Sequence, residues 1–191
     1  MSAPEGAAIF AVALLVAIVG FIVLTSYNAV VALRQRIDKA WSNIDVVLKQ
    51  RHDQLPNLVA AVRGLMDFER DVLTRVTEAR SAYTPSAPIR DQAVTSEATT
   101  AAVRSLFAVV ELYPAIKTAA NVAELQHEIE RLEGMIADRR ELYNDQVYRY
   151  NTRIAQVPGA LLAPLFGWRP REFFAAEPAD LTRPDVGLPA T

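Results

Sequence analysis

The sequence predicts an all-α protein in which an N-terminal transmembrane helix continues into an antiparallel four-helix bundle with long helices. Three observations predict this fold: an uncharged apolar run near the N-terminus, apolar residues recurring at steps of three and four, and only 7 glycines in 191 residues. With 51% apolar and 22% charged residues, the chain has enough apolar side chains to build a core.

Composition argues against several classes of function. The chain has 20 basic and 22 acidic side chains, so its net charge of -2 does not favour phosphate neutralisation, and no nucleic acid partner is expected. Cysteine is absent, which removes disulfides, thiolate catalysis and zinc–thiolate sites. The sequence shows no glycine-rich phosphate loop, nucleophile elbow or Ser-His-Asp order. We therefore expect no catalytic residue, no cofactor and no bound metal.

The first predicted element is a membrane anchor over residues 7–26. The 18 residues from Ala7 to Leu24 carry no charge, and as a helix they would span about 27 Å, close to the thickness of a bilayer core. The alternative is a cleaved signal peptide, which the length of the run, the lack of a preceding Lys or Arg and the missing A-x-A-like site disfavour. Residues 1–6 then form a short extracytoplasmic N-terminus, and residues 7–26 contact lipid.

Charges on the two sides of the anchor predict its orientation. Only Glu5 precedes the anchor, whereas Arg34, Arg36 and Lys39 follow it. The positive-inside rule therefore places the N-terminus outside the inner (plasma) membrane and the rest of the chain, as a single-pass protein, in the cytoplasm. Tyr27 is expected at the membrane interface, where aromatic side chains are enriched.

Four apolar stripes with helical spacing predict a helical domain over residues 27–176. The stripes cover residues 30–48, 58–83, 94–110 and 122–154. Pro56 is expected to end the first helix, and the alternative is one long helix kinked at this proline. Pro114 and Pro158 are expected to end the third and fourth helices, and Asn121, with Glu124 three residues later, to cap the fourth. Residues 177–191, rich in proline and alanine, are predicted to be a disordered tail.

Several short motifs resemble those of the LemA family. In the first half these are Tyr27-Asn28, Ala40-Trp41-Ser42 and Leu55-Pro56-Asn57-Leu58-Val59. In the second half they are Leu112-Tyr113-Pro114, Tyr143-Asn144, Tyr150-Asn151, Pro158-Gly159 and Phe166-Gly167-Trp168. The resemblance implies a bacterial, single-pass membrane protein with a cytoplasmic helical bundle and no established enzymatic activity. It also implies an association with membrane metalloproteases and, in one branch, with magnetosome biogenesis.

A candidate docking surface follows from the predicted topology. If the first helix leaves the membrane and each later helix reverses, the turns at Pro56 and Tyr113 meet at the membrane-distal tip. The candidate docking residues are Arg51, Asp53, Pro56, Asn57, Tyr113 and Pro114. Arg51 lies on the apolar stripe and is expected to pair with Glu111 or Glu124. The alternative is that proline and asparagine simply end helices at these turns.

The opposite end of the predicted bundle returns to the membrane. The candidate membrane-proximal contacts are Tyr27, Arg34, Arg36, Leu162, Phe166 and Trp168. The apolar residues after the fourth helix either touch lipid or plug the open end of the bundle. Tyr143 and Tyr150, seven residues apart on the fourth stripe, are expected to place their hydroxyls in the seam between helices and to find partners there.

Two further interpretations concern chemistry and function. Glu124-x-x-His127 has the spacing of a metal-ligand pair in a helical bundle, against the alternative of a solvated helix face. The sequence favours a membrane-anchored scaffold or adaptor without catalytic activity, acting on protein partners of unknown identity and associating as a homo-oligomer through its amphipathic faces. The alternatives are a regulatory or substrate-presenting subunit of a membrane protease and, third, a metal-dependent bundle enzyme.

Overall fold

The structure, a computed structural model, describes residues 3–63, 70–117 and 119–175, and this part of the chain is helical without a β-strand. Six helices follow one another: α1 (Ala3–Arg63), α2 (Arg70–Ser81), α3 (Ile89–Glu111), α4 (Pro114–Lys117), α5 (Ala120–Ala155) and α6 (Gly159–Phe166). The predicted all-α class is therefore confirmed. The predicted tail at 177–191 lies outside the described residues.

Helix α1 has 61 residues, which corresponds to about 90 Å of helix. Its first part is long and apolar enough to cross a membrane, and its apolar side chains are exposed instead of packed in the core of the molecule. From Val30 onward the same helix buries a stripe that includes Ile37 and Ile44, each at most 2% exposed. One uninterrupted helix thus carries both the apolar segment and a core-forming face.

The chain does not reverse at Pro56. The predicted end of the first helix is wrong, because α1 continues through Pro56 to Arg63. A proline cannot donate to the carbonyl four residues earlier, so the carbonyl of His52 loses its usual partner within the helix. Arg80 of α2 replaces that partner, donating from Nε to the His52 oxygen at 3.3 Å. Packing of the buried Leu55 and Leu58 on either side also favours a continuous helix.

Helix α5 runs antiparallel to α1 along the domain. Arg34 contacts Tyr150, and Arg51 contacts Glu133, so the residue number rises on one helix as it falls on the other. The fourth predicted stripe is confirmed, because α5 buries the following residues: Val122, Ile129, Leu132, Ile136, Tyr143, Val147, Tyr150 and Ile154. The seam between α1 and α5 is the longest interface in the described part of the molecule.

Helices α2 and α3 form an antiparallel hairpin that packs on the membrane-distal part of α1. The ring of Tyr83, just after α2, packs on that of His52 with centroids 5.0 Å apart, and Arg51 reaches Ser96 of α3. The third predicted helix is confirmed. The second, predicted over 58–83, is divided: its first residues belong to α1, α2 supplies its last part, and residues 64–69 lie outside the described ranges.

Two helix ends differ from prediction in detail. Helix α5 begins at Ala120, so Ala119, which has no capping side chain, occupies the N-cap, and Asn121 lies in the first turn. The predicted capping role of Asn121 is therefore wrong. Helix α5 ends at Ala155, as predicted from Pro158. The short helix α6 then follows in a segment whose proline and glycine residues predict a break in helical structure. Gly167, with φ of 63°, ends α6 in the left-handed conformation.

Candidate functional site

The first polar site lies inside the domain and is built around Arg51. Its side chain is only 4% exposed, and its guanidinium donates to the Glu133 carboxylate at 2.7 Å. It also donates to the hydroxyls of Thr100 at 3.0 Å and Ser96 at 2.9 Å. Thr100 in turn donates to the second Glu133 oxygen at 2.7 Å. This network joins α1, α3 and α5 and satisfies a buried charge, as burial of an arginine requires.

The partner of Arg51 differs from the one expected. A carboxylate is present, as predicted, but it is Glu133, while Glu111 forms an exposed ion pair with Lys117. Arg51 is buried and bonds to α3 and α5. It therefore does not belong to the candidate docking surface, although the sequence placed it there.

The remaining docking candidates lie on two elements. Asp53 and Asn57 are exposed and, four residues apart on α1, share one helix face, with Pro56 half-buried beside them. Tyr113 and Pro114 are exposed at the junction of α3 and α4. Because α1 has no turn at Pro56, the predicted surface is not formed by two turns. We call Asp53, Asn57, Tyr113 and Pro114 the exposed distal group.

A second site is formed where the chain after α6 returns along α5. The Asn151 side chain donates to the carbonyl of Arg171 at 3.0 Å and accepts from its N–H at 2.8 Å. Asn144 does the same for Phe174, at 3.2 and 2.8 Å. Each asparagine amide therefore satisfies both the N–H and the carbonyl of one residue in this segment, as a neighbouring β-strand would do. We call residues 168–175 the return segment.

The neighbouring tyrosines hold the same segment. The Tyr150 hydroxyl donates to the carbonyl of Arg169, and the Tyr143 hydroxyl to that of Glu172, both at 3.0 Å. Both hydroxyls therefore have partners, as predicted, and these partners are backbone carbonyls of the return segment. Burial raises the pKa of Tyr143 to about 12, so its hydroxyl stays protonated further into alkaline solution than that of an ordinary tyrosine.

The spacing of the two Tyr-Asn pairs matches the length of the segment that they hold. Seven helical residues rise about 10.5 Å, and three extended residues span about 10 Å. The tyrosines contact segment residues 169 and 172, and the asparagines contact 171 and 174, three residues apart in both cases. The heptad repeat of α5 is thus in register with a three-residue repeat in the return segment.

The return segment also buries two large rings. Phe174 is 2% exposed and lies 5.7 Å, centroid to centroid, from Trp41 of α1, which in turn contacts the Tyr143 ring at 5.8 Å. Trp168 is 6% exposed. The segment therefore covers the seam between α1 and α5.

The membrane-proximal candidates are partly brought together. Tyr27 of α1 lies 5.1 Å from Phe166 and 6.2 Å from Trp168, measured between ring centroids. Arg34 is half-buried and donates to the Tyr150 hydroxyl at 3.4 Å, whereas Arg36 is exposed. Leu162 and Trp168 are buried, whereas Phe166 is 42% exposed.

The Glu124-x-x-His127 pair lies on the surface. The His127 side chain is 84% exposed and approaches Glu130 at 3.8 Å. Across residues 3–63, 70–117 and 119–175, no three histidine, aspartate or glutamate side chains form a cluster that could hold a metal ion. The pair stays a prediction without support from the structure.

Comparison of the sequence with models of known protein families identifies one family. The family model described as "LemA family" matches residues 40–187, which is most of the chain. The chain belongs to the LemA family. The resemblance stated from the sequence motifs is thereby confirmed.

Curated relatives match a shorter stretch of this LemA protein. Magnetosome protein MamQ 2 and Magnetosome protein MamQ 1 of Paramagnetospirillum magneticum are each 36% identical over 78 residues. Magnetosome protein MamQ of Magnetospirillum gryphiswaldense is 32% identical over 78 residues. The match covers 41% of this chain and 29% of each relative, so this chain is similar to less than a third of their length.

Sequence reasoning missed several residues that build the LemA domain. Glu133 was not singled out, because α5 carries several carboxylates at similar distances from its apolar stripe. Asn144 and Asn151 were seen beside the tyrosines without a role. Their repetition at an interval of seven is the signal that a second chain segment lies along this face.

Proposed function

We propose that this protein is a membrane-anchored helical scaffold or adaptor that acts through contacts with other proteins, without catalysis, and with its helical domain in the cytoplasm. The observation that carries the proposal is the continuity of α1. Because the apolar segment and the core face belong to one helix, the domain is joined to the membrane by a rigid rod and not by a flexible linker.

The same helix gives Asp53 and Asn57 of the exposed distal group a defined distance from the membrane. Asp53 follows Tyr27 by 26 residues, so it lies about 40 Å further along the helix axis. The polar side chains of Asp53 and Asn57, together with Tyr113 and Pro114, offer a protein partner charge, amide and aromatic contacts. A rigid support for such groups is what a scaffold needs, since loops and helix ends carry recognition when helices fix their position.

Site-specific photo-crosslinking tests the scaffold function. A photoreactive residue placed at Asn57 in the full-length protein, in its native membrane, should yield an adduct with a defined protein. The matched control is Val94, which is 51% exposed on α3 and outside the exposed distal group. The proposal requires that the Asn57→Ala/Tyr113→Ala double variant lose the partner on co-purification with its thermal unfolding unchanged. Identical crosslinks from both positions, or a partner retained by the double variant, contradict it.

The orientation has its own test, made simple by the absence of cysteine. Single substitutions Ser2→Cys and Ser86→Cys introduce one thiol on each side of the anchor. In spheroplasts, whose inner membrane is sealed, a membrane-impermeant maleimide should label the variant at position 2 and not the one at position 86. Labelling at position 86 before the membrane is broken contradicts a cytoplasmic domain.

A further inference from the structure

Helix α6 presents apolar side chains on two opposite faces. Leu162 and Gly159 are buried against the rest of the domain, whereas Leu161 is 67% and Leu165 77% exposed. None of the residues Gly159–Phe166 carries a charge. A helix that is apolar on all sides is typical of a core or of a lipid environment, and the domain core covers only one side of α6.

The contacts of α6 fix its level along α1. The ring of Phe166, the last residue of α6, packs at 5.1 Å on that of Tyr27, and Trp168 stacks on Phe166 at 5.2 Å. Tyr27 follows Leu24, the last residue of the apolar run, by three residues, or about 4.5 Å of helix. The C-terminal end of α6 therefore lies at the depth at which α1 would leave the hydrocarbon core.

Cationic side chains begin just beyond this level. Arg169 follows Trp168 directly and is exposed, whereas Arg34, about 10 Å further along α1 than Tyr27, is half-buried and donates to the Tyr150 hydroxyl. Polar headgroups occupy roughly the first 5 to 7 Å outside the hydrocarbon core, and long arginine side chains reach toward them from below. An apolar face at the boundary, with the exposed Arg169 next to it, matches the order of apolar and charged layers at a bilayer surface.

We propose that the exposed face of α6, formed with Val157, Leu161, Leu165 and Phe166, inserts into the lipid interface beside the anchor. The occupant of this face is lipid, because α6 is joined through Tyr27 to the helix that enters the bilayer. The inference rests on the membrane anchor of the proposed function but not on any protein partner. Two lipid contacts, α1 and α6, would fix the tilt of the domain and thus the direction in which the exposed distal group points.

Fluorescence quenching in lipid nanodiscs tests this contact. The full-length Leu165→Cys variant, labelled with an environment-sensitive fluorophore, is placed in nanodiscs of phosphatidylcholine and phosphatidylglycerol. Nitroxide-labelled lipids, a mixture carrying the nitroxide near the headgroup and along the acyl chain, should quench most of its emission, which should also be shifted to shorter wavelength. Because position 165 is 77% exposed, the label leaves the fold intact.

Two matched variants separate the possible outcomes. Leu142→Cys, 61% exposed on α5 and far from α6, should not be quenched, and Val16→Cys, inside the apolar segment, should be quenched. Quenching at 16 without quenching at 165 overturns the lipid contact. Absence of quenching at 16 overturns the anchor, and with it both this inference and the proposed function.

Discussion

Arg51 and Glu133 form an ion pair at 2.7 Å that joins α1 to α5 inside the domain. Each partner has further hydrogen bonds, because Ser96 and Thr100 of α3 accept from the guanidinium and Thr100 donates to the carboxylate. The geometry fixes the positions of three helices relative to one another. Replacing a buried pair of this kind by apolar residues is often neutral for stability, whereas removing one partner leaves an uncompensated charge.

Removing one partner of this pair should be costly. We expect Arg51→Ala to lower the free energy of unfolding by roughly 3 kcal/mol, because Glu133 is left without its counter-charge. The Arg51→Met/Glu133→Leu double variant should lose less, since no unpaired charge remains. Denaturant titration of the full chain in detergent measures both, and Arg149→Ala, which removes an exposed pair with Asp145, is the control at under about 1 kcal/mol. A double variant less stable than the single one contradicts this account.

The asparagine contacts with the return segment predict local changes in hydrogen exchange. Asn144→Ala removes two hydrogen bonds to Phe174 and should lower stability by about 1–3 kcal/mol. The amide of Phe174 should then exchange faster, and more so than that of Arg171; Asn151→Ala should reverse this order. Asn57→Ala, exposed on α1, is the control. Equal acceleration at both amides in both variants would show that the segment is not held residue by residue.

The passage of α1 through Pro56 predicts coupling between Pro56 and Arg80. Pro56→Ala supplies an N–H that can donate to the carbonyl of His52 and should stabilise the chain by up to about 3 kcal/mol. Arg80→Met, which keeps the apolar stem but not the donor, should then cost less in the Pro56→Ala background than in the parent. A double-mutant cycle of thermal or denaturant unfolding measures the difference. Strictly additive effects would mean that the Arg80 bond does not replace the missing one.

His52 predicts a loss of stability on acidification. Burial, and secondarily the charge of Arg80, lowers the pKa of His52 below its ordinary value of 6.5. Below that value the unfolded chain binds a proton that the folded chain resists, so the free energy of unfolding falls as pH falls. Unfolding measured between about pH 7 and about pH 5 should show a shallower decline in His52→Gln than in the parent. The surface variant His127→Gln provides the comparison, and the same slope in His52→Gln as in the parent contradicts the assignment.

Local periodicity was enough to predict the long helices α3 and α5. The stripe from Val122 to Ile154 and the end before Pro158 agree with α5, and the third helix ends before Pro114 as expected. These features depend on residues that are near in sequence, where the spacing of apolar side chains and the missing N–H of proline act directly.

Contacts between distant residues could not be predicted in the same way. The partner of Arg51 lies 82 residues away on a helix with several carboxylates, so its identity depends on the relative positions of α1 and α5. The Tyr143 and Tyr150 hydroxyls were expected between helices, but their partners come from a segment without helical periodicity.

The amino-acid sequence by itself determined the apolar segment, the helical class and the LemA motifs, because each depends on composition or on spacing over a few residues. Tertiary structure alone decided that α1 continues past Pro56. The proline removes one hydrogen bond wherever it stands, but whether the helix ends there depends on a replacement donor, which here comes from Arg80 on another helix.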